Sequence, residues 1–405
     1  MRKMIWLACL SYLVIGMAHV AAGSILEPMM ARYGLDYRDG GQFIMNQFLG
    51  FLVGVLIAPW VSTKIGKRNT ILLALGSLTL AEAAYSLLLP WEWMLSIAPL
   101  AGFGFGMTET VIGALVIEYV EEKKATTMTQ IEMFFGVGAL LMPVIAALFI
   151  KTGVWQLSFP VITAVAGLTT LLWLVLSFGK VDDLIAYRPP QAEQETKDHQ
   201  PLKVGYNRMA GPFLVLGILF FCIYVGMEMS FSNYLPSIMI QRTGVSEASA
   251  ASTMGLFWAM MAIGRLFAGR LAERAGYGRF LIIAVAAGAI VFTVSNFTKD
   301  INLSLVLIGL NGLIWAGVFA IGLVYVNQFL PGRTERTTSL LVASGGLGGA
   351  LFPKLSGWTM DNASADWTLI LYAGMAGVMV LLMITMVISA RKLKRPANSL
   401  NEASK

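Results

Sequence analysis

The residues of this chain that could do chemistry are ionisable side chains set inside long apolar runs. Each costs about 2.5–3.5 kcal/mol at the centre of a membrane helix, so such groups persist where they pair, face water or carry function. Glu109 stands almost midway along GFGFGMTETVIGALVIEYV. A carboxyl there crosses an apolar region more cheaply as a neutral acid than as an anion, which suits it to carry a proton. The competing reading is a structural acid hydrogen-bonded to a neighbouring helix. Glu228, in YVGMEMSFSNYLP, and Glu27, ahead of Pro28, are further candidates for proton coupling. His19 can shuttle a proton or hydrogen-bond a substrate hydroxyl. Glu132 reads as a gating or structural partner for a basic residue, and Glu82 as structural. Gln47, Asn233 and Asn311 add neutral hydrogen-bonding groups, while Tyr224, Trp258 and Trp315, with Phe134 and Phe135 nearby, offer aromatic faces. Hydroxyl-binding groups beside aromatic faces suit a sugar ring. Pro236 is expected to free a carbonyl and loosen the end of its helix.

Other chemistries lack their residues. No nucleophile–base or metal constellation is evident, and no phosphate-binding loop of the Walker type occurs. An enzyme is therefore not expected, nor is a cofactor. Energy would come from an ion or substrate gradient. The two cysteines, Cys9 and Cys222, fall in different apolar runs and form no disulfide or metal pattern.

The elements that must position these groups are membrane helices. Of 405 residues, 57% are hydrophobic and only 13% charged, against about 25% charged in soluble domains; the mean hydropathy is +0.71. A spanning helix needs roughly 20 apolar residues. Twelve such runs can be read, at 4–31, 41–62, 69–89, 93–120, 127–150, 155–178, 210–240, 248–272, 279–297, 301–330, 337–360 and 366–390. The first begins after Arg2 and Lys3 but is too long for a signal peptide, and is read as an uncleaved span. Basic residues cluster on one side, at Lys64, Lys67, Arg68, Lys123, Lys124, Arg270, Arg274, Arg279, Arg333, Arg336 and Arg391. That bias places both termini in the cytoplasm. It also accounts for the net charge of +6 without a nucleic-acid partner.

The chain is also written twice. Gly34, Gly54, Ala58, Lys64, Gly66, Gly136, Gly138 and Pro143 return at one offset as Gly244, Gly264, Ala268, Arg274, Gly276, Gly346, Gly348 and Pro353. Residues 1–178 and 210–391 form two six-helix bundles, joined by a polar linker at 179–209 and followed by a cytoplasmic tail at 392–405. Duplicated bundles of this kind build alternating-access transporters, with the substrate at the midplane between repeats.

VSTKIGKRN at 61–69 and GRLAERAGYGRF at 269–280 resemble the paired basic gating motif of the major facilitator superfamily. Lys64, Gly66, Lys67, Arg68, Arg270 and Arg274 are the corresponding gating candidates. The first copy lacks the motif's Asp, with Ser62, Thr63 and Lys64 in that region. GMAHVAAGSILEP, NQFLGFLVGVLIAP, TETVIGALVIEYVE, QIEMFFGVGALLMP and YVGMEMSFSNYLPSIMI are similar to the fucose permease-like branch. Within it they are most similar to glucose/mannose:proton symporters of the Bacillus type. The resemblance implies an all-α membrane protein of twelve helices in two pseudo-symmetric halves. It also implies a central cavity along spans 1, 4, 7 and 10, and proton-coupled uptake of a hexose-type sugar by a monomer in the cell membrane. It matches Glu109 to the coupling acid of the branch. The alternative is proton-driven efflux of a drug or amphipathic metabolite, for which the Gly-Pro pair usual in span 5 is missing from GVGALLMP.

Overall fold

The apolar runs close into helices because a backbone in hydrocarbon must satisfy its own hydrogen bonds. The computed structural model describes residues 2–119, 124–179, 182, 185, 210–330 and 334–402, and among these there is no strand. Spans 2 to 5 are Tyr37–Ile65, Lys67–Ser86, Trp91–Tyr119 and Lys124–Lys151, and span 6 is Ser158–Val175. Spans 7, 8, 9, 11 and 12 are Ala210–Thr243, Glu247–Ala275, Tyr277–Ser295, Thr334–Asn362 and Ala365–Glu402. Span 12 runs on as helix beyond residue 391, where the tail was expected to begin. Ten helical stretches are long and apolar enough to cross a membrane. Spans 3 and 11 complete the twelve while carrying more polar residues.

Two spans are broken. Span 1 comprises Arg2–Ser24 and Leu26–Tyr33, and span 10 comprises Ile301–Trp315 and Val318–Asn327. Pro28 accounts for the first break, since its ring opposes the carbonyl of Ser24 in a continued helix. The expected loosening at Pro236 does not occur: span 7 is helical through it, as membrane helices allow when neighbouring groups take over the freed carbonyl.

The repeat is visible in backbone and packing alike. Gly34 and Gly244 have φ of 66° and 68°, and Gly66 and Gly276 have 82° and 84°. Those left-handed turns need glycine. A Cβ on Gly102 would lie 1.7 Å from the Gln47 carbonyl oxygen, and one on its twin Gly312 would lie 2.3 Å from that of Phe257. Gly138 against Leu13 and Gly348 against Cys222 repeat the pattern, at 2.1 and 1.8 Å from backbone oxygens. Small residues thus let spans 2 and 4, 8 and 10, 1 and 5, and 7 and 11 touch backbone to backbone.

The basic motif loops, the start of span 1 and the end of span 12 lie on one face of the bundle, the basic face; Tyr37, Gly244 and Asp361 mark the far face. Within the N-terminal half, Arg68 fastens span 3 to the end of span 6. Its guanidinium donates to the carbonyls of Trp173 (2.8 Å), Leu174 (3.1 Å) and Leu176 (2.8 Å) and meets Asp182 at 2.9 Å. The Ser177 hydroxyl, with the Phe178 amide and Arg68, holds the Asp182 carboxyl below its usual range. This tie is therefore ionised at neutral pH and weakens only as pH falls. An arginine on the last carbonyls of a helix satisfies acceptors that the helix leaves open. Arg68→Ala should cost about 2 kcal/mol, read as a lower thermal midpoint of the purified protein; an unchanged midpoint would mean water replaces the arginine without loss.

Candidate functional site

Between the two halves lies a cavity of about 100 Å³, room for several waters at about 10–15 Å³ each. Each half contributes wall residues, and five pairs stand at the repeat offset of 210 seen between Gly23 and Asn233. They are His19 and Met229, Phe48 and Trp258, Glu109 and Phe319, Glu132 and Val342, and Phe135 and Gly345. The chemistry on these positions is unequal. The N-terminal half supplies two carboxyls and an imidazole where its twin supplies apolar groups. The C-terminal half answers with Glu228 and Arg265, opposite Ala18 and Val55 in the repeat. Since the twin positions pack without acids, the fold does not require a carboxyl at 109 or 132.

Arg265 and Glu132 face each other across the halves at 4.0 Å, with side chains 25% and 43% exposed. Glu109 stands in the field of both. Tyr12 donates to the backbone carbonyl of Glu109 at 3.2 Å. Glu228 accepts a 2.9 Å hydrogen bond from Tyr224, whose ring stacks on Trp315 at 5.3 Å and 13°. His19 sits among four phenylalanines, with Phe105 at 4.5 Å, Phe48 at 5.2 Å, Phe135 at 5.5 Å and Phe51 at 6.0 Å between ring centres. Its Nδ1 and the Trp258 Nε1 have no partner among the described residues. Both belong to residues on the cavity wall, and they are two of several such buried atoms among the described residues.

The cavity is closed towards the far face. Asp361 accepts from the amides of Tyr37 and Arg38 at 2.9 and 2.7 Å, and Tyr234 donates to the Tyr37 carbonyl at 2.7 Å. Lys354 bonds Gln42, and the Gly23 amide donates to Asn233 Oδ1 at 3.1 Å. Every hydrogen bond between described residues of the two halves lies on this side of His19. On the other side Glu132 and Arg265 are partly exposed.

Several expected site residues lie elsewhere. Glu27 is at the far face, accepting from Tyr37 at 2.9 Å. Asn233 is spent on the span 1 contact and on the Met229 carbonyl. Gln47 is buried on span 2, where span 4 packs closely against it. Asn311 lines a separate small pocket with Arg242 and Ser304. Tyr224 and Trp315 form a layer behind Glu228. The described bonds of Arg68 reach span 6 of its own half and Asp182 at the start of the linker, and none of them reaches the C-terminal half. Lys64 lies over Trp60 at 4.5 Å, and Arg270 and Arg274 are exposed. Lys123, Lys124 and Glu118 fall where side chains are not described. The residue missing from the expectations is Arg265. The rule that selects Glu109 selects it too: it is a charge inside FWAMMAIGRLF, ahead of the loop arginines.

Comparisons with known proteins agree with this architecture. A family model described as Major Facilitator Superfamily matches residues 8–295 and again 216–404. The chain is 28% identical over 394 residues to the glucose/mannose transporter GlcP of Bacillus subtilis (strain 168), covering 97% of this chain and 96% of that one. It is 22% identical to the sodium-dependent glucose transporter 1A of Mus musculus, covering 89% and 90%. Among solved structures, that of the D-xylose-proton symporter superposes with a TM-score of 0.76 over 94% of this chain and 96% of that one, at 14% identity. That of the nucleoside transporter NupG gives 0.72 over 95% and 98%, at 14%. At such identities the structures speak for the fold alone.

Proposed function

The chain belongs to the Major Facilitator Superfamily, and on that premise we propose that it is a secondary transporter moving a hexose-type sugar together with a proton by alternating access. The observation that carries the reading is the cavity itself. Three carboxyls and one arginine from both halves meet there, beside an imidazole and an indole with unpartnered nitrogens. The glucose-carrying relatives agree with the sugar, and the acids agree with the proton.

In this reading the basic face is cytoplasmic, following the arginine and lysine bias, and the structure is the inward-facing state of a monomer. Deprotonated, Glu109 places a second negative charge near Glu132, with Arg265 the one cation among the described residues to counter both; a proton on Glu109 removes that repulsion. Sugar and proton then leave together to the cytoplasm. His19 and Trp258 offer hydrogen bonds to ring hydroxyls, while Phe135 and Phe319 offer faces to its apolar side. Glu228 is held by Tyr224 and contacts the substrate or tunes Arg265. Glu27, at the far-face seal, acts in gating and not in the cavity.

The test is uptake by the purified protein in proteoliposomes. Labelled glucose, mannose, xylose and uridine are offered under an inward gradient of either protons or sodium. Accumulation of glucose or mannose with the proton gradient alone is expected. Accumulation with sodium alone would replace the proton, and uptake of no sugar would overturn the reading.

A further inference from the structure

Arg68 fills the cleft between spans 3 and 6 of the N-terminal half, where its guanidinium binds three carbonyls and Asp182 and lies 5.5 Å from the Phe178 ring. At the repeat offset its twin is Gly278. In the corresponding region of the C-terminal half, between spans 9, 10 and 12, the described residues leave an open cleft beside Gly278. It is a groove of about 470 Å³ on the basic face. Its floor is apolar, from Ile282, Tyr325, Phe329 and Val387, and Arg279 and Arg391 stand at its rim. Both arginines are exposed, and neither pairs with an acid among the described residues. Beside the groove, Ile283 is 65% and Ile388 50% exposed, so this surface is one that hydrocarbon covers.

We propose that this groove is a binding site for an anionic phospholipid of the leaflet on the basic face. Arg279 and Arg391 together hold the phosphate, and an acyl chain lies over Ile282 and Val387. Arginine matches phosphate oxygens with paired N–H donors. Basic pockets between spans at this depth suit such headgroups. A free phosphate would leave the apolar floor unused, and a zwitterionic lipid would bring its own cation beside the two arginines.

The experiment is native mass spectrometry of the purified full chain titrated with phosphatidylglycerol or phosphatidylcholine in detergent. The wild type is expected to retain one phosphatidylglycerol in preference to phosphatidylcholine. Arg279→Gln with Arg391→Gln should bind it roughly 10- to 30-fold more weakly. Arg270→Gln with Arg274→Gln, an equal change of charge on the same face, should leave it bound. Equal retention of the two lipids, unchanged binding in the rim variant, or full displacement by millimolar inorganic phosphate would each overturn the site.

Discussion

Glu109→Gln protein, reconstituted in liposomes, exchanges sugar between equal pools but does not accumulate it when a pH gradient is imposed. Glutamine has the shape of the protonated acid and cannot lose a proton. The variant is therefore held in its loaded form. Such a carrier can turn over while sugar is bound but cannot reset by releasing a proton. The size of the effect follows from the gradient. One pH unit is worth about 1.4 kcal/mol, so a wild type moving one proton per sugar accumulates about tenfold, and the variant should fall to about one. The thermal midpoint should not drop, because the repeat places Phe319 at the twin of Glu109 and packs well without a carboxyl. An acid with only a structural role would give the reverse: lower stability and intact accumulation. Tenfold accumulation by Glu109→Gln, with loss in Glu132→Gln instead, would move the proton to Glu132.

Much of the architecture was legible because the repeat constrains backbone geometry, which sequence records directly. The glycines that return at a fixed offset are those with matching left-handed turns or backbone contacts, as at Gly66 and Gly276 or Gly138 and Gly348. The charged centre of the site was legible for a related reason: a carboxyl amid apolar residues is costly wherever it faces. The direction that a neutral polar residue faces was not. Asn233 follows Glu228 by five residues, about 140° round the helix, so when Glu228 faces the cavity Asn233 turns towards span 1. Asn and Gln can satisfy themselves on any neighbouring backbone, and in Asn233 that is what happens. Arg265 was hidden differently, by its nearness in sequence to the loop arginines. Only packing shows that it turns inward to Glu132 while Arg270 and Arg274 stay in water.

Gly357→Val should nearly abolish turnover while leaving sugar binding in place. A Cβ at Gly357 would lie 2.3 Å from the Tyr37 carbonyl oxygen and 2.5 Å from the Tyr234 hydroxyl, both closer than real side chains approach. In a rigid core such overpacking costs about 1–3 kcal/mol or more. Here the molecule can escape the clash with Tyr37 by separating spans 2 and 11, while the Tyr234 hydroxyl, on span 7 of the same half, swings aside once its bond to Tyr37 is broken. The substitution therefore acts on the equilibrium between access states more than on folding. About 3 kcal/mol shifts that equilibrium by roughly 100-fold. Against it stand the far-face bonds, such as those of Asp361 with the Tyr37 and Arg38 amides, which water replaces when the face opens, and the packing of span 2 on span 11 at Gly41 and Gly349. Ser24, buried below the seal, reports the state. In a background carrying Ser24→Cys, a membrane-impermeant maleimide applied from the far side should label the Gly357→Val protein quickly and the parent slowly. Slow labelling together with full transport would mean that the far face does not close on Gly357 during the cycle, and the seal would lose its place as a gate.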